Sequence, residues 1–218
     1  MGSTRTQSAR FGYIELCAGR AAQLLNLSSL AAEAGIAQPT AKAWRSIHKA
    51  RFLLFRLPPL ARSIGKRLGE MPKLHFIDSG LVCWLLGIRD RDQRSRHPLR
   101  GAILETWAVS EILKRRTARG ELPSNWRGMS LYRERDGLEA DLVVQEGGEL
   151  AVAEMRAGAT PSSDMLASAR RVAERLSVPA SGVSGASGVS GGLGVSGASG
   201  VSGVSGVRGF RGLRGRDR

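Results

Sequence analysis

The first part of the chain alternates apolar stretches at helical spacing with turn signals. Apolar and small residues recur along one helical face through residues 11–25, and this pattern predicts a helix that ends near Asn26. Ser28 or Ser29 can cap a short second helix that continues to Ala34, because a serine oxygen accepts a hydrogen bond from the first free amides. The chain is therefore expected to open with two helices.

The next residues complete a helix-turn-helix pattern. Gly35 supplies a turn, and Pro39 suits the first turn of a third, longer helix because its missing N–H has no helical partner to lose. In the DNA-binding use of this motif, the exposed groups near the start of the recognition helix would be Gln38, Thr40, Lys42 and Arg45. The alternative is a winged-helix module that only packs against its neighbours.

Two apolar stretches after the third helix predict a pair of strands. Residues 51–57 are rich in leucine and phenylalanine, and residues 73–77 form the second stretch, which leaves 60–72 as the wing between them. The polar, arginine-rich residues 89–98 are expected to be a loop or hinge. We place the domain boundary there, with a winged-helix-like N-terminal domain over 1–97.

The following residues, 98–178, predict an α/β core. Apolar residues between 99 and 116 fall on one helical face, with Glu105 at its edge. Turn signals at Asp136-Gly137 and Gly147-Gly148 separate three short stretches of strand character. The strands are expected at 131–135, 139–145 and 149–155, and a last helix is expected over 161–176.

After Pro179 the composition changes abruptly. Residues 181–206 consist almost entirely of serine, glycine, valine and alanine, and lack the large apolar side chains that would offset the entropy of ordering. We therefore expect a disordered, low-complexity tail over 179–218. Its Arg-Gly end, 208–216, resembles basic segments that bind RNA loosely, or else has no selected role.

Net charge narrows the classes of partner. The chain carries a formal charge of +14, of which 181–218 contributes five arginines and one aspartate, or +4, leaving +10 on the rest. Basic residues crowd 42–67 and 89–100, a pattern that fits a polyanion such as DNA. The alternative is a solvated basic face, or one that meets an acidic protein surface.

Cysteine usage and hydropathy favour the cytoplasm. Cys17 and Cys83 lie in apolar surroundings without a Cys-x-x-Cys spacing, so we expect both to be reduced. The longest apolar stretch, 81–86, is far shorter than the ~20 residues of a membrane span. We expect a cytoplasmic protein with no membrane contact.

Acidic residues on consecutive predicted strands are the strongest chemical signal. Asp141 lies on the second strand, and Glu154-Met155-Arg156 ends the third. A carboxylate on one strand and an acidic-x-basic triplet on the next is how a restriction-endonuclease-like core assembles a divalent metal site. This pattern makes the pair of strands the candidate site.

Several ordered blocks resemble the C-terminal half of a prokaryotic family of AAA-type ATP-binding proteins. In that family an ATPase module is followed by a winged-helix segment and a nuclease-like domain, the domain of unknown function 4143. The resemblance covers about 11–173. Its blocks are 25–36 (LNLSSLAAEAGI), 57–59 (LPP), 72–81 (PKLHFIDSGL), Gly101 with Glu105, 137–143 (GLEADLV) and Glu154 with Arg156.

The resemblance implies a metal site and a fold. It makes Asp141, Glu154 and Arg156 the catalytic positions, with Asp141 and Glu154 as Mg²⁺ ligands and Glu105 as a further acid from the preceding helix. It also implies a restriction-endonuclease-like α-β-β-β-α core, here lacking its last strand because the tail begins where that strand should be. Mg²⁺ is the cofactor expected if the site is active.

Arg156 departs from the family pattern. The usual lysine can lower its pKa and help to orient or deprotonate the attacking water, whereas arginine stays protonated and carries a larger planar fork. We therefore expect a non-catalytic, nuclease-like protein whose association with DNA, where it occurs, is non-specific. The alternatives are a Mg²⁺-dependent DNA nuclease and a helix-turn-helix DNA-binding regulator.

ATP chemistry is not expected of these residues. No Gly-x-x-x-x-Gly-Lys-[Ser/Thr] loop occurs in the sequence, so we expect no ATP binding by this chain and interpret it as a fragment or truncated gene product. Its expected partners are DNA and an ATPase module or another protein.

Overall fold

The structure is a computed structural model that describes residues 2–60, 71–120, 128–134, 136–146, 149–157, 167–178, 180–185 and 193–197. The described elements begin with α1 (Gly2–Gly19), β1 (Gln23–Leu24), α2 (Leu27–Glu33), α3 (Gln38–Ala50), β2 (Leu54–Leu57), β3 (Lys73–Phe76) and α4 (Ser79–Leu85). They continue with α5 (Arg91–Arg96), α6 (Arg100–Ala118), β4 (Met129–Arg133), β5 (Glu139–Glu146), β6 (Glu149–Ala157), α7 (Ala167–Leu176), β7 (Ala180–Gly185) and β8 (Leu193–Gly197). The protein is mixed α/β, with two small sheets.

The first sheet corrects the expected extent of the first helix. Helix α1 ends at Gly19, and Ala22 takes a positive φ of 57°, which breaks the helical path. The Ala22 N–H then donates to the Leu74 carbonyl at 2.7 Å, and the short β1 pairs antiparallel with β3. With β2 on its other side, β3 is the central strand of the order β1-β3-β2.

Helices α2 and α3 form as expected, with a different cap. The Asn26 side chain, rather than that of Ser28 or Ser29, accepts a hydrogen bond from the Ser29 N–H at 3.0 Å and so caps α2. Helix α3 begins at Gln38, with a proline in its first turn. The Tyr13 hydroxyl donates to the Ala41 carbonyl at 3.1 Å and ties α1 to α3.

The expected loop over 89–98 contains a short helix. Helix α5 spans Arg91–Arg96, and the Asp90 side chain caps it by accepting from the Gln93 N–H at 2.8 Å. An aspartate at this place satisfies an amide that a helix start leaves without a partner, which explains helix formation in a polar stretch. The loop expectation is therefore corrected for these six residues.

The second sheet has the order β4-β5-β6-β7-β8. Its pairs are antiparallel except β6 with β7, which is parallel. Leu142 packs in a cluster with Val109 and Ile112 of α6, whereas the neighbouring Val143 packs with Val172 of α7. Because successive side chains of a strand point to opposite faces, α6 and α7 cover opposite faces of this sheet.

Strand β7 corrects the expectation that the core lacks its last strand and that the chain is disordered from residue 179. Ala180–Gly185 pairs along β6 from Val152 to Ala157, and β8 pairs with β7. Ladder hydrogen bonds join backbone groups and need no large side chains, so a segment rich in serine and glycine extends the sheet. Helix α7 is the crossover that a parallel pair requires.

Some expectations fall outside the described residues. These are most of the wing (61–70), the Gly147-Gly148 turn, the first turn of the last helix (161–166) and the Arg-Gly end (208–216).

The two sheets share one apolar cluster, which fixes β3 against the second sheet. Phe55 and Leu57 of β2 pack in the same cluster as Val109 of α6 and Leu142 of β5. The segment after β2 also bonds to β4, since the Leu131 N–H donates to the Pro58 carbonyl at 2.9 Å. In this packing, Lys73, the first residue of β3, lies beside the start of β5.

Candidate functional site

An open cleft of about 650 Å³ lies where α6, β5 and β6 meet. Its charged lining comprises the carboxylates of Glu105, Glu139, Asp141 and Glu154 and the guanidinium groups of Arg100 and Arg156. The structure thus brings together the predicted residues Glu105, Asp141, Glu154 and Arg156 from three elements. Convergence of four acids in one cleft requires compensating positive charge.

The ammonium group of Lys73 supplies that charge. Lys73 Nζ lies 3.0 Å from Glu105 Oε1, 3.0 Å from Glu139 Oε1 and 3.0 Å from Asp141 Oδ1, and its side chain is 6% exposed. Burial alone would lower the pKa of Lys73, but the charges of Glu105, Asp141 and Glu139 outweigh it and hold that pKa well above its usual value. The three carboxylates therefore stabilise the charged form of Lys73.

Asp141 is held by a backbone amide as well as by the lysine. The ladder between β5 and β6 ends at the pair Leu142 and Ala153. Beyond it, the Met155 N–H donates to Asp141 Oδ2 at 2.9 Å, while Oδ1 accepts from Lys73. Both carboxylate oxygens are engaged, so the orientation of Asp141 is fixed.

Glu154 is engaged on one oxygen only. Its Oε1 lies 2.8 Å from Nη2 of Arg156, whose side chain is 56% exposed. Its Oε2 is buried and has no hydrogen-bond partner within the part of the chain that the structure describes. Burial, and after it the charge of Asp141, raise the pKa of Glu154 to about 7 against the opposing effect of Arg156.

A buried histidine backs Glu105. His75 Nε2 lies 3.9 Å from Glu105 Oε1, and Nδ1 lies 3.3 Å from the Thr106 hydroxyl. Burial, and then the charge of Lys73, lower the pKa of His75 to about 3, so the imidazole is neutral. Burial, and after it the Asp141 charge, raise the pKa of Glu105 against the opposing effect of Lys73.

The arrangement does not fit a divalent metal ion. Mg²⁺ requires oxygen ligands at about 2.0–2.1 Å in near-octahedral geometry, and here three of the carboxylates surround an ammonium group instead. Among the described residues, no group of three histidine, cysteine, aspartate or glutamate side chains is placed to hold a metal. The ligand roles of Glu105, Asp141 and Glu154 stay predictions.

The predicted DNA-reading residues lie on α3, which packs mainly against α2 and β2. Lys42 and Gln38 are exposed, and Thr40 and Arg45 are half-buried. The Gln38 amide donates to the Ser28 hydroxyl at 2.9 Å, so it is partly committed to the α2–α3 contact. These residues form a surface of their own, and their role in DNA binding stays a prediction.

Sequence reasoning missed Lys73 and His75 as site residues. Both were interpreted only as part of a strand, although they alternate with Leu74 and Phe76 in an otherwise apolar segment. All four residues of β3 are buried. A lysine at a buried strand position needs a carboxylate partner, and that requirement was the available signal.

Known families match both parts of the chain. Residues 6–92 match a domain of unknown function (DUF8612), and residues 100–188 match a domain of unknown function (DUF4143). The second match confirms that part of the expected resemblance, whereas the AAA-type context and the winged helix stay predictions. The second match also extends over β7.

Two curated relatives are similar to the chain. The uncharacterized proteins Mb2031c of Mycobacterium bovis and Rv2008c of Mycobacterium tuberculosis are each 30% identical to it over 140 residues, which is 64% of this chain. The match covers only 30% of the length of each relative. No solved structure matches the chain. None of the described helices has both the length and the apolar character of a membrane span.

Proposed function

We propose that this chain is a nuclease-like module that does not hydrolyse phosphodiester bonds and that associates non-specifically with nucleic acid. The observation that carries the proposal is the Lys73 ammonium, 3.0 Å from each of three carboxylates. Metal-dependent nucleases use a bound cation to activate water and to neutralise charge on the phosphate. An ammonium group offers no coordination position for that water, and Arg156 stays protonated, so neither group can act as the base.

The order of elements supports the nuclease-like part of the proposal. The chain runs from helix α6 through strands β4, β5 and β6 to helix α7, which is the α-β-β-β-α order. Strand β7 follows as the last strand of this core. The acids of α6, β5 and β6 meet where β5 begins and β6 ends. We propose a core over 98–178, extended by β7.

The N-terminal elements support a winged-helix-like module over 1–97. Three helices and three strands follow one another in the order α1-β1-α2-α3-β2-β3, and the strands make one antiparallel sheet. We further propose that this module works beside an AAA-type ATPase module, which rests on the sequence resemblance alone.

The surface around α3 supports nucleic-acid association. Lys42 and Lys49 are exposed on this helix, and Arg45 lies close enough to Arg56 to lower its pKa, after burial. Among the ion pairs between described residues, none involves Lys42, Arg45 or Lys49. Cations without carboxylate partners can release condensed counterions from phosphates, which gives affinity without sequence preference.

Cleavage of DNA tests the non-catalytic part. Supercoiled plasmid and labelled single-stranded DNA are incubated with the wild-type chain in millimolar Mg²⁺ or Mn²⁺, beside the Asp141→Asn variant. We expect no product above the buffer control from either protein. Cleavage by the wild type that disappears in Asp141→Asn would establish the nuclease instead.

DNA binding is measured by fluorescence anisotropy as a function of salt. We expect steep salt dependence and little variation with sequence, and the Lys42→Gln, Lys49→Gln double variant should lower the salt slope by about 2. Lys114→Gln is the matched control, because Lys114 is exposed but lies 2.8 Å from Glu111. No binding at low salt would contradict the proposal.

The start of α3 favours a second candidate, a helix-turn-helix regulator. Gln38 and Lys42 are exposed beside the α2–α3 turn, where such proteins read bases. Tight binding of one palindrome that survives raised salt would favour the regulator over non-specific association.

A further inference from the structure

We propose that the Lys73 ammonium is a built-in counter-cation that fills a divalent-cation site, so that the site accepts a metal ion only when this ammonium is removed. This inference rests on the proposed non-catalytic role, and it names the group that keeps the metal out. The site would take a hard divalent cation such as Mg²⁺, Mn²⁺ or Ca²⁺.

The first support is saturation of the ammonium. A lysine ammonium has three N–H donors and no acceptor. Here three carboxylate oxygens, from Glu105 on α6 and from Glu139 and Asp141 on β5, each lie at 3.0 Å from Nζ. The carboxylates therefore already converge on one cation, which is the ammonium group.

The second support is an oxygen that the ammonium does not satisfy. Glu154 is 5% exposed, and its buried Oε2 has no hydrogen-bond partner among the described residues. It lines the same cleft as Asp141 and Glu105. A divalent ion bound in this cleft would offer a partner to a buried carboxylate oxygen that the ammonium leaves without one.

Lys73 supplies the buried positive charge that balances the acids. Four carboxylates line the cleft, and the other cations near them are exposed: Arg100 and Arg156 in the lining, and Arg133 at 3.9 Å from Glu139. Replacing Lys73 by a neutral side chain leaves exposed arginines, Arg100 and Arg156, as the cations in the lining of the cleft. The resulting buried excess of negative charge either takes up protons or binds a cation.

The backbone fixes the lysine in place. Lys73 begins β3, the central strand, and pairs with Leu24 on one side and Leu57 on the other. Its side chain is almost fully buried. Because the strand is held on both edges, the backbone that carries the ammonium is fixed beside the carboxylates.

The test measures thermal unfolding with and without divalent chloride salts. The variants are Lys73→Met, which keeps an unbranched side chain but removes the terminal ammonium group, and Lys73→Gln. The control is Lys114→Met, at an exposed lysine of α6. We expect wild type and Lys114→Met to show no change in Tm in Mn²⁺, Mg²⁺ or Ca²⁺. We expect the Tm of Lys73→Met to rise by about 5 °C or more at saturating Mn²⁺.

The double variant Lys73→Met, Glu105→Gln separates ligand binding from general stabilisation. It removes one carboxylate, so its Tm should respond less to Mn²⁺ than that of Lys73→Met. If Lys73→Met is unfolded in chelator, we expect its far-ultraviolet circular dichroism to recover on addition of Mn²⁺. Lack of response in both Lys73→Met and Lys73→Gln, or an equal response in wild type, would overturn the inference. Since no nucleic acid is present, this result is separate from whether the chain cleaves or binds DNA.

Discussion

Replacing Glu154 by glutamine should stabilise the protein at alkaline pH. The Glu154 carboxylate is buried and faces Asp141 and Glu139, with Arg156 and Lys73 as the opposing charges. Together these surroundings raise its pKa from 4.5 to about 7, which means that the folded state disfavours the ionised form. Glutamine has the same shape without the charge, and its oxygen can still accept from Arg156.

The size and sign of the effect follow from that pKa. Each tenfold change in proton affinity is worth about 1.4 kcal/mol, so a rise from 4.5 to about 7 corresponds to about 3 kcal/mol. Between these pH values the folded state binds more protons than the unfolded state, so stability falls as pH rises. The contribution of Glu154 is fully present below about 4.5 and is lost as pH passes about 7. Loss of the half-exposed ion pair with Arg156 offsets at most about 1 kcal/mol.

Urea unfolding at several pH values between 4.5 and 8.5 measures the effect. We expect Glu154→Gln to exceed wild type by about 2 kcal/mol at pH 8, with the difference shrinking toward pH 5. Glu149→Gln, at the exposed start of β6, should leave the pH dependence of wild type unchanged. A Glu154→Gln variant that is less stable than wild type at pH 8, with the same pH slope, would refute the reasoning.

Two further substitutions test other contacts. Tyr13→Phe removes the hydroxyl that donates to the Ala41 carbonyl. This variant should lower the free energy of unfolding, measured in urea, by about 1 kcal/mol. An unchanged value would show that the hydrogen bond does not stabilise the α1–α3 contact. Arg156→Lys leaves a cation beside Glu154 and leaves Lys73 in place, so it should not produce Mg²⁺-dependent plasmid cleavage; cleavage by this variant would show that the arginine alone blocks the site.

The local pattern of apolar and polar residues was sufficient to predict the helix and the two strands that carry Glu105, Asp141 and Glu154. The apolar face of 99–116 predicted α6, and strand signals predicted β5 and β6 within a few residues. Since Asp141 and Glu154 were placed on consecutive strands, their meeting in one cleft followed from simple pairing. Glu105 was expected at the edge of the apolar face of its helix, and its side chain lines the cleft.

The groups that complete the site come from distant parts of the chain. Lys73 lies 68 residues before Asp141 and 32 before Glu105, and no local periodicity reports such a pairing. Its position depends on how the first sheet packs against α6. The site was therefore predictable as a set of acids, but not as acids already holding an ammonium.

Backbone pairing also determined elements that composition did not indicate. Residues 23–24 were expected to continue a helix, yet they pair with β3. Residues 180–185 were expected to be disordered, yet they pair with the edge of β6. In both cases a neighbouring strand supplies the hydrogen-bond partners, and the sequence of the segment itself carries little information about them.

Electron paramagnetic resonance of Mn²⁺ tests directly whether Lys73 keeps a divalent cation out of the carboxylate cluster. The spectrum distinguishes the free ion from the protein-bound ion. The wild-type chain is titrated with Mn²⁺ up to millimolar concentration at neutral pH, beside Asp141→Asn. We expect the free-ion signal to rise with added Mn²⁺ as it does in buffer, for both proteins. One Mn²⁺ bound per wild-type chain, and lost in Asp141→Asn, would show that Lys73 does not keep a divalent cation out of the carboxylate cluster.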